Sequence, residues 1–349
     1  MHEEAVYWAL LTEGPDANRA AVAALLDEWL SAGNRSVRDL FAFPPDLLAA
    51  AMGKTVEQVM PLLALRRRLD RAHDLVGRLA AEGVDLITRW DKRYPRSLRR
   101  ALRDAAPPAL WYAGDWRCLS NGPVAILGSR HAPTEALAFA QALALQLSCE
   151  RRPIVMGVVR PQDRACLAAV FGSEHGTAVA VLEQGFCRIL PELQRLKASI
   201  EQTRLLVISP YHPERIWQPE LERHRQSIVV SLAKQIVITH GERDDGLRDA
   251  VDQAVALKRI VYVRDNGSDE HTAMIRRGGT PLHWSSHESE SEPLPGPLRS
   301  QASRPTSAAT TGDHLHTKPT SRGGRRRPAH GQTASPSEGV VQLRLFGSE

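Results

Sequence analysis

Cysteine is scarce in this sequence. The four it has, Cys118, Cys149, Cys166 and Cys187, stand far apart, with no C-x-x-C pair and no histidine-rich segment at metal-ligand spacing. That spacing argues against a disulfide framework and against a zinc module, so neither disulfides nor a metal is expected, and no other cofactor is. Long apolar runs are also missing. None approaches the length of a membrane span, and Met1 is not followed by a basic-then-apolar leader, so a cytoplasmic protein is expected. Aromatic residues make up only 5% of the chain. Charge of one sign is not scarce: a formal net charge of +5 and a pI near 9.2 favour an anionic partner.

The 349 residues allow two domains and a tail. Residues 1–90 read as a small all-helical domain of helix-hairpin type. Apolar residues recur at helical spacing over 7–11, 22–30, 36–41, 45–52, 56–65 and 69–81, broken by Gly14-Pro15, Gly33-Asn34, Pro44-Pro45 and Gly53. The run Arg66-Arg67-Arg68 reads as a solvated helix face rather than a nucleic-acid contact. Residues 91–122 read as a linker.

From Pro123 the pattern changes to strand, helix, strand, helix. The apolar runs 124–127, 154–158, 177–182, 205–209, 235–239 and 260–263 lack polar alternation, as strands buried on both faces do. Helical segments at about 134–148, 162–173, 190–201, 214–232 and 245–258 fall between them, with Thr134 expected as an N-cap. The expected fold of 123–284 is therefore α/β, a Rossmann-like, doubly wound, mostly parallel sheet. Beyond about 284 the composition turns to Ser, Pro, Thr, Gly and His, with Arg322 and Arg325-Arg326-Arg327. Such a segment cannot bury enough apolar surface to offset chain entropy, so 285–349 is expected to be a disordered basic tail.

The chemistry concentrates after Val124-Ala125-Ile126-Leu127. Gly128 ends that strand, and a glycine turn leading to a helix N-terminus presents free N–H groups and a positive dipole end to an anion. Arg130 adds a planar guanidinium suited to phosphate. Two acidic residues have two readings each. Glu183, at a strand end, is either a general acid or structural; Asp163 is either a catalyst or a helix N-cap, and the cap is favoured. The histidines His131, His175, His224 and His240 share no spacing that assigns them a role.

An ordered series of motifs resembles the DprA/Smf DNA-processing family over residues 7–282. Tyr94-Pro95, Pro107-Pro108 and Tyr112-Ala113-Gly114-Asp115 resemble its linker. V-A-I-L-G-S-R (124–130) resembles its V-A-I-V-G-S-R turn, M-G-V-V-R-P-Q-D (156–163) stands where it has S-G-x-A-x-G-I-D, and T-A-V-A-V-L-E-Q-G (177–185) resembles the next strand. R-H-R (223–225) replaces R-N-R ahead of K-Q-I-V-I-T (234–239), and I-R-R-G-G (275–279) resembles the closing L-I-x-x-G-A.

The resemblance implies a non-enzymatic, dimeric protein that binds single-stranded DNA and hands it to a RecA-type recombinase in transformation or recombination. It implies that Gly128, Ser129 and Arg130 hold a phosphate, that Gly157 and Arg160 flank it, and that Arg223 and Arg225 add charge from the opposite loop. The departures are Met156, Pro161-Gln162, His224 and the acidic loop Gly241–Gly246 in place of a small neutral turn. The family's usual C-terminal winged-helix-like domain is expected to be replaced here by the disordered tail. A rival reading is a Rossmann-like nucleotide sensor or nucleotide hydrolase, for example in phage defence. The P-G-G-x-G-T turn of such hydrolases has no counterpart in the strand-and-helix region. At the far end, Gln342-Leu343-Arg344-Leu345-Phe346 resembles sliding-clamp-binding peptides. There Gln342 would bond at the rim while Leu343, Leu345 and Phe346 fill an apolar pocket.

Overall fold

The computed structural model describes residues 2–13, 26, 29–30, 36–243 and 245–284. The Gln342–Phe346 motif and the expected disordered tail lie outside these residues, as does most of the helical segment expected at 22–30.

The described helices of the amino-terminal region are α1 (His2–Thr12), α2 (Val37–Ala42), α3 (Pro45–Ala51), α4 (Val56–Ala64) and α5 (Leu69–Ala81). Local chemistry sets their ends. Ser36 caps α2 in a reciprocal box with Asp39, Pro45 opens α3 at its first turn, and Thr55 boxes with Gln58 ahead of α4. The arginine run 66–68 is tied down at two positions. Arg66 donates to the Phe43 carbonyl at 2.7 Å, and Arg68 pairs with Glu13 at 3.0 Å.

The chain then builds one nine-stranded sheet. β1 (Asp85–Thr88), α6 (Arg96–Leu102) and β2 (Ala109–Ala113) come first. β3 (Val124–Gly128), α7 (Thr134–Cys149), β4 (Ile154–Met156), α8 (Pro161–Gly172), β5 (Ala178–Val181), α9 (Leu190–Arg195), α10 (Lys197–Glu201), β6 (Leu205–Ser209), α11 (Pro219–Leu232), β7 (Gln235–His240), α12 (Leu247–Ala256), β8 (Ile260–Arg264), α13 (Asp269–Arg276) and β9 (Thr280–Leu282) follow. The strand order is β1-β2-β6-β5-β4-β3-β7-β8-β9, with β2 antiparallel to both β1 and β6 and every other pair parallel. The α/β, mostly parallel expectation holds.

Strands β3, β4, β5 and β6 are buried along their whole length because helices cover both faces. Val124 and Ile126 join the core under α7 and α8, while Ala125 and Leu127 join the core under α11 and α12. The first core runs on without a break into the amino-terminal helices through Leu86, Trp111 and Phe186 to Trp8, Leu40 and Leu48.

Several details differ from expectation. The stretch read as a linker carries β2, which pairs with β1 on one side and β6 on the other, so 85–113 is part of the sheet. Residues 190–201 form two helices that break at Leu196. The segment expected from 214 becomes helical only at Pro219, whose fixed φ suits a first helical position. Thr134 is not an N-cap. Pro133 holds the extended cap backbone and Thr134 is already helical. The short α13 and β9 had no apolar run to announce them. Among the described residues no helix is long and apolar enough to cross a membrane.

Candidate functional site

Strands β4, β5 and β6 extend the sheet to one side of β3, and β7 and β8 extend it to the other. The sheet therefore reverses its winding between β3 and β7, where a crevice opens beyond the carboxyl ends of the strands. Gly128 ends β3 and His240 ends β7 at this point, and the Ser129 amide continues the pairing by donating to the His240 carbonyl at 3.0 Å.

The Gly128 turn is tightly packed. A Cβ there would overlap the Gln162 amide oxygen and the Thr239 hydroxyl, which hydrogen-bond to each other. Thr239 also lies 3.2 Å from the Leu127 carbonyl. One of the departures, Gln162, thus seals the side of the turn. Ser129 is buried, and its hydroxyl has no hydrogen-bond partner among the described residues. Gly157 is equally constrained: a Cβ would overlap the Asp163 carboxylate and crowd the Arg225 guanidinium.

Three of the predicted arginines meet here, and they meet carboxylates. Arg160 is only 7% exposed. It donates to the Gly128 carbonyl at 3.0 Å, to Glu222, and to Glu183 at 3.4 Å. Arg225 is buried beside Glu183 at 3.5 Å. Arg130 pairs with the second oxygen of Glu222 at 2.5 Å and lies over the Trp217 ring, 4.2 Å from its centroid. Glu222 therefore bridges the two arginines expected to grip and flank a phosphate.

The electrostatics follow from this enclosure. Burial opposes ionisation of Glu222, but Arg160 and then Arg130 outweigh it and hold the carboxyl below the ordinary glutamate range. Burial also opposes the charge on Arg160, and Asp163, Glu222 and Glu183 more than restore it. Arg225 is pulled below the ordinary arginine range by burial and by its neighbour Arg160.

Asp163 is not an N-cap. It sits at the third position of α8, and its carboxylate accepts from the Arg160 backbone amide at 3.2 Å, so Arg160 holds the cap position. Glu183 takes the structural part, as the shared partner of Arg160 and Arg225. His224, in the place of the family asparagine, has its Nδ1 3.1 Å from the Tyr211 hydroxyl, which lies 2.8 Å from the Leu221 carbonyl. In the acidic loop, Asp245 accepts from the Glu242 and Leu247 amides at 2.7 and 2.9 Å and so shapes the entry to α12.

Arg223 stands apart from the buried network. It is exposed and, with Arg130, His131, Glu222 and Arg243, lines an open cleft of about 460 Å³ over the crevice. The structure thus gathers Gly128, Ser129, Arg130, Gly157, Arg160 and Arg225 and places Arg223 on the outer wall. Sequence reasoning missed Glu222, Gln162, Thr239 and Trp217. Gln162 stands out in the sequence only as a departure from the family motif and Thr239 only as the end of K-Q-I-V-I-T; Glu222, directly before R-H-R, and Trp217 carry no signal of their own. Among the described residues no three His, Cys, Asp or Glu side chains cluster as a metal site would require.

Residues 85–282 match the family model for DNA recombination-mediator protein A. The chain belongs to that family. The match spans every strand of the sheet, and membership assigns the chain to DNA processing and recombination. Among solved structures, DNA processing protein A (DprA) from Streptococcus pneumoniae is similar at 19% identity with a TM-score of 0.57, covering 79% of this chain and 94% of that one. DNA processing protein A from Helicobacter pylori, described for its single-stranded DNA binding mode, is similar at 19% identity with a TM-score of 0.48, covering 57% and 90%. No curated protein sequence matches the chain.

Proposed function

We propose that this family member is a non-enzymatic, cytoplasmic protein that binds single-stranded DNA across the cleft at the β3–β7 crevice and delivers it to a RecA-type recombinase, acting as a homodimer. The observation that carries the reading is Arg130. Its side chain is 39% exposed at the rim of the cleft and its guanidinium lies over Trp217. A cation and an aromatic face presented together suit a strand whose phosphates carry charge and whose bases stack. Arg223 and Arg243 add cations to a rim that also carries Glu220, Glu242 and Asp245. Arg160 and Arg225 have a different part in this reading: buried and paired, they hold Glu222 and the Gly128 turn in place. Glu222 is then the internal anion with which an incoming phosphate competes for Arg130.

The test is anisotropy of labelled single-stranded and duplex DNA across a salt series, for the wild type and Arg130→Ala. The reading expects preference for single strands and a log–log salt slope that loses about 0.7 in the variant. Equal binding of both DNA forms would count against it. The cleft volume also falls in the range of small-ligand sites, which supports the nucleotide-sensor reading as the second choice. A thermal shift with micromolar mononucleotide would favour it. For the terminal motif, we propose docking of Gln342, Leu343, Leu345 and Phe346 to a sliding clamp. The check is a 338–349 peptide against its Phe346→Ala variant, with only the former binding.

A further inference from the structure

A second basic surface lies at the other end of the sheet. Between Asp91 and Asp104 the chain carries Lys92, Arg93, Arg96, Arg99, Arg100 and Arg103, and all six are exposed. Arg93 is engaged by Asp91 at 3.0 Å, and Arg99 donates to the Asp91 carbonyl at 3.1 Å. Lys92, Arg96, Arg100 and Arg103 form no ion pair with any described residue. Cations in the last turn of α6 offset its dipole, which accounts for Arg99 and Arg100 but not for Lys92 or Arg96.

The position is defined by packing. α6 lies against α11, and a groove of about 270 Å³ forms between Lys92, Arg93, Arg96, Trp116 and Leu232. β2 runs antiparallel to β6, so Trp116, just after β2, lies at the amino-terminal edge of the parallel strands. Leu232 ends α11 on that same edge, whereas Glu222 near its start faces the crevice. By helix rise the two surfaces are separated by roughly 15 Å along α11.

We propose that this α6 groove is a second contact surface for single-stranded nucleic acid, engaging a strand that also occupies the crevice. It adds to the function proposed above, and its chemistry stands on different residues. The choice of nucleic acid over an acidic protein rests on Trp116. A half-buried indole beside Lys92 and Arg96, neither of which is ion-paired with a described residue, matches the alternation of phosphate charge and base face along a single strand. Tyr112 supports that indole from behind, with ring centroids 5.0 Å apart.

The test compares full-length wild type, the triple variant Lys92→Gln/Arg96→Gln/Arg100→Gln, Arg130→Ala, and the four changes combined. Each is titrated with one long single-stranded DNA across a salt series after its melt is shown to match the wild type. The triple variant should bind more weakly and lose about 2 from the log–log salt slope, and the combined protein should lose more than either parent. Trp116→Leu should weaken binding about tenfold with little change of slope, as expected for a stacking contact.

A triple variant with wild-type slope and affinity overturns the proposal and leaves the groove to an acidic protein surface. An inert Arg130→Ala beside a weakened triple variant overturns the crevice reading and the shared strand with it, and leaves the α6 groove as a single-strand contact on its own residues. A wild type with no salt-dependent binding overturns both.

Discussion

Two sets of arginines separate this molecule into opposite electrostatic designs. At the crevice, Arg160 and Arg225 are enclosed with Glu222, Glu183 and Asp163, Arg130 closes the set from the rim, and nearly every charge has an internal answer. On the α6 surface, six cations face solvent beside two acids. Enclosure makes the first set part of the architecture, because a buried charge must be paired. Exposure leaves the second set available to another molecule, at little cost to the fold. A count of basic residues does not distinguish the two; their partners do.

The contrast breaks most visibly at Arg160. Arg160→Met should destabilise the protein by about 3 kcal/mol, because Glu222 and Glu183 lose their shared buried cation. A thermal or urea melt checks this, and a shift near zero would mean the network is solvated. Gly128→Ala should come next, at about 2 kcal/mol, since a methyl must displace the packed Gln162–Thr239 pair. If Gln162→Ala in the same chain recovers most of that loss, the clash is located.

Acid should dissolve the enclosed design in two stages. His271 is fully buried, its Nε2 accepting from the Gly241 amide at 2.9 Å, and burial holds its pKa below the ordinary value. A depressed histidine contributes stability above its unfolded value, lost as pH falls below about 6.5. The Glu222 carboxyl is also depressed, so its contribution is present above the unfolded value of about 4.3 and disappears as pH falls through the lower folded value. Melting temperature against pH should therefore decline in a first step that His271→Gln changes and a second that Glu222→Gln changes. A profile insensitive to both would remove the argument. The smallest effect belongs to the exposed set: Arg100→Gln should move stability by no more than about 0.5 kcal/mol. A larger loss would show that the α6 cations are structural after all.

Much of the fold was legible because strands buried on both faces leave continuous apolar runs, as in Val124–Leu127 and Leu205–Ser209. α13 and β9 were not, since a short edge strand reading Thr-Pro-Leu carries no such run. Within the site, the convergence of Gly128, Arg130, Arg160 and Arg225 on one sheet edge was legible by residue type and position, but the burial and carboxylate pairing of Arg160 and Arg225 were not. Glu222 was not: it meets Arg130 and Arg160 from 92 and 62 residues away along the chain. The role of Gln162 was equally hidden, because filling a turn depends on which loop lies beside it.

The sequence by itself determined the alternating α/β order, the glycine turn after β3 and the excess of positive charge, since each follows from local composition and periodicity. Only the tertiary structure decided which of those charges remain free. Pairing depends on distances between elements remote in the chain, and burial then turns a nearby carboxylate from a weak surface partner into an obligatory one.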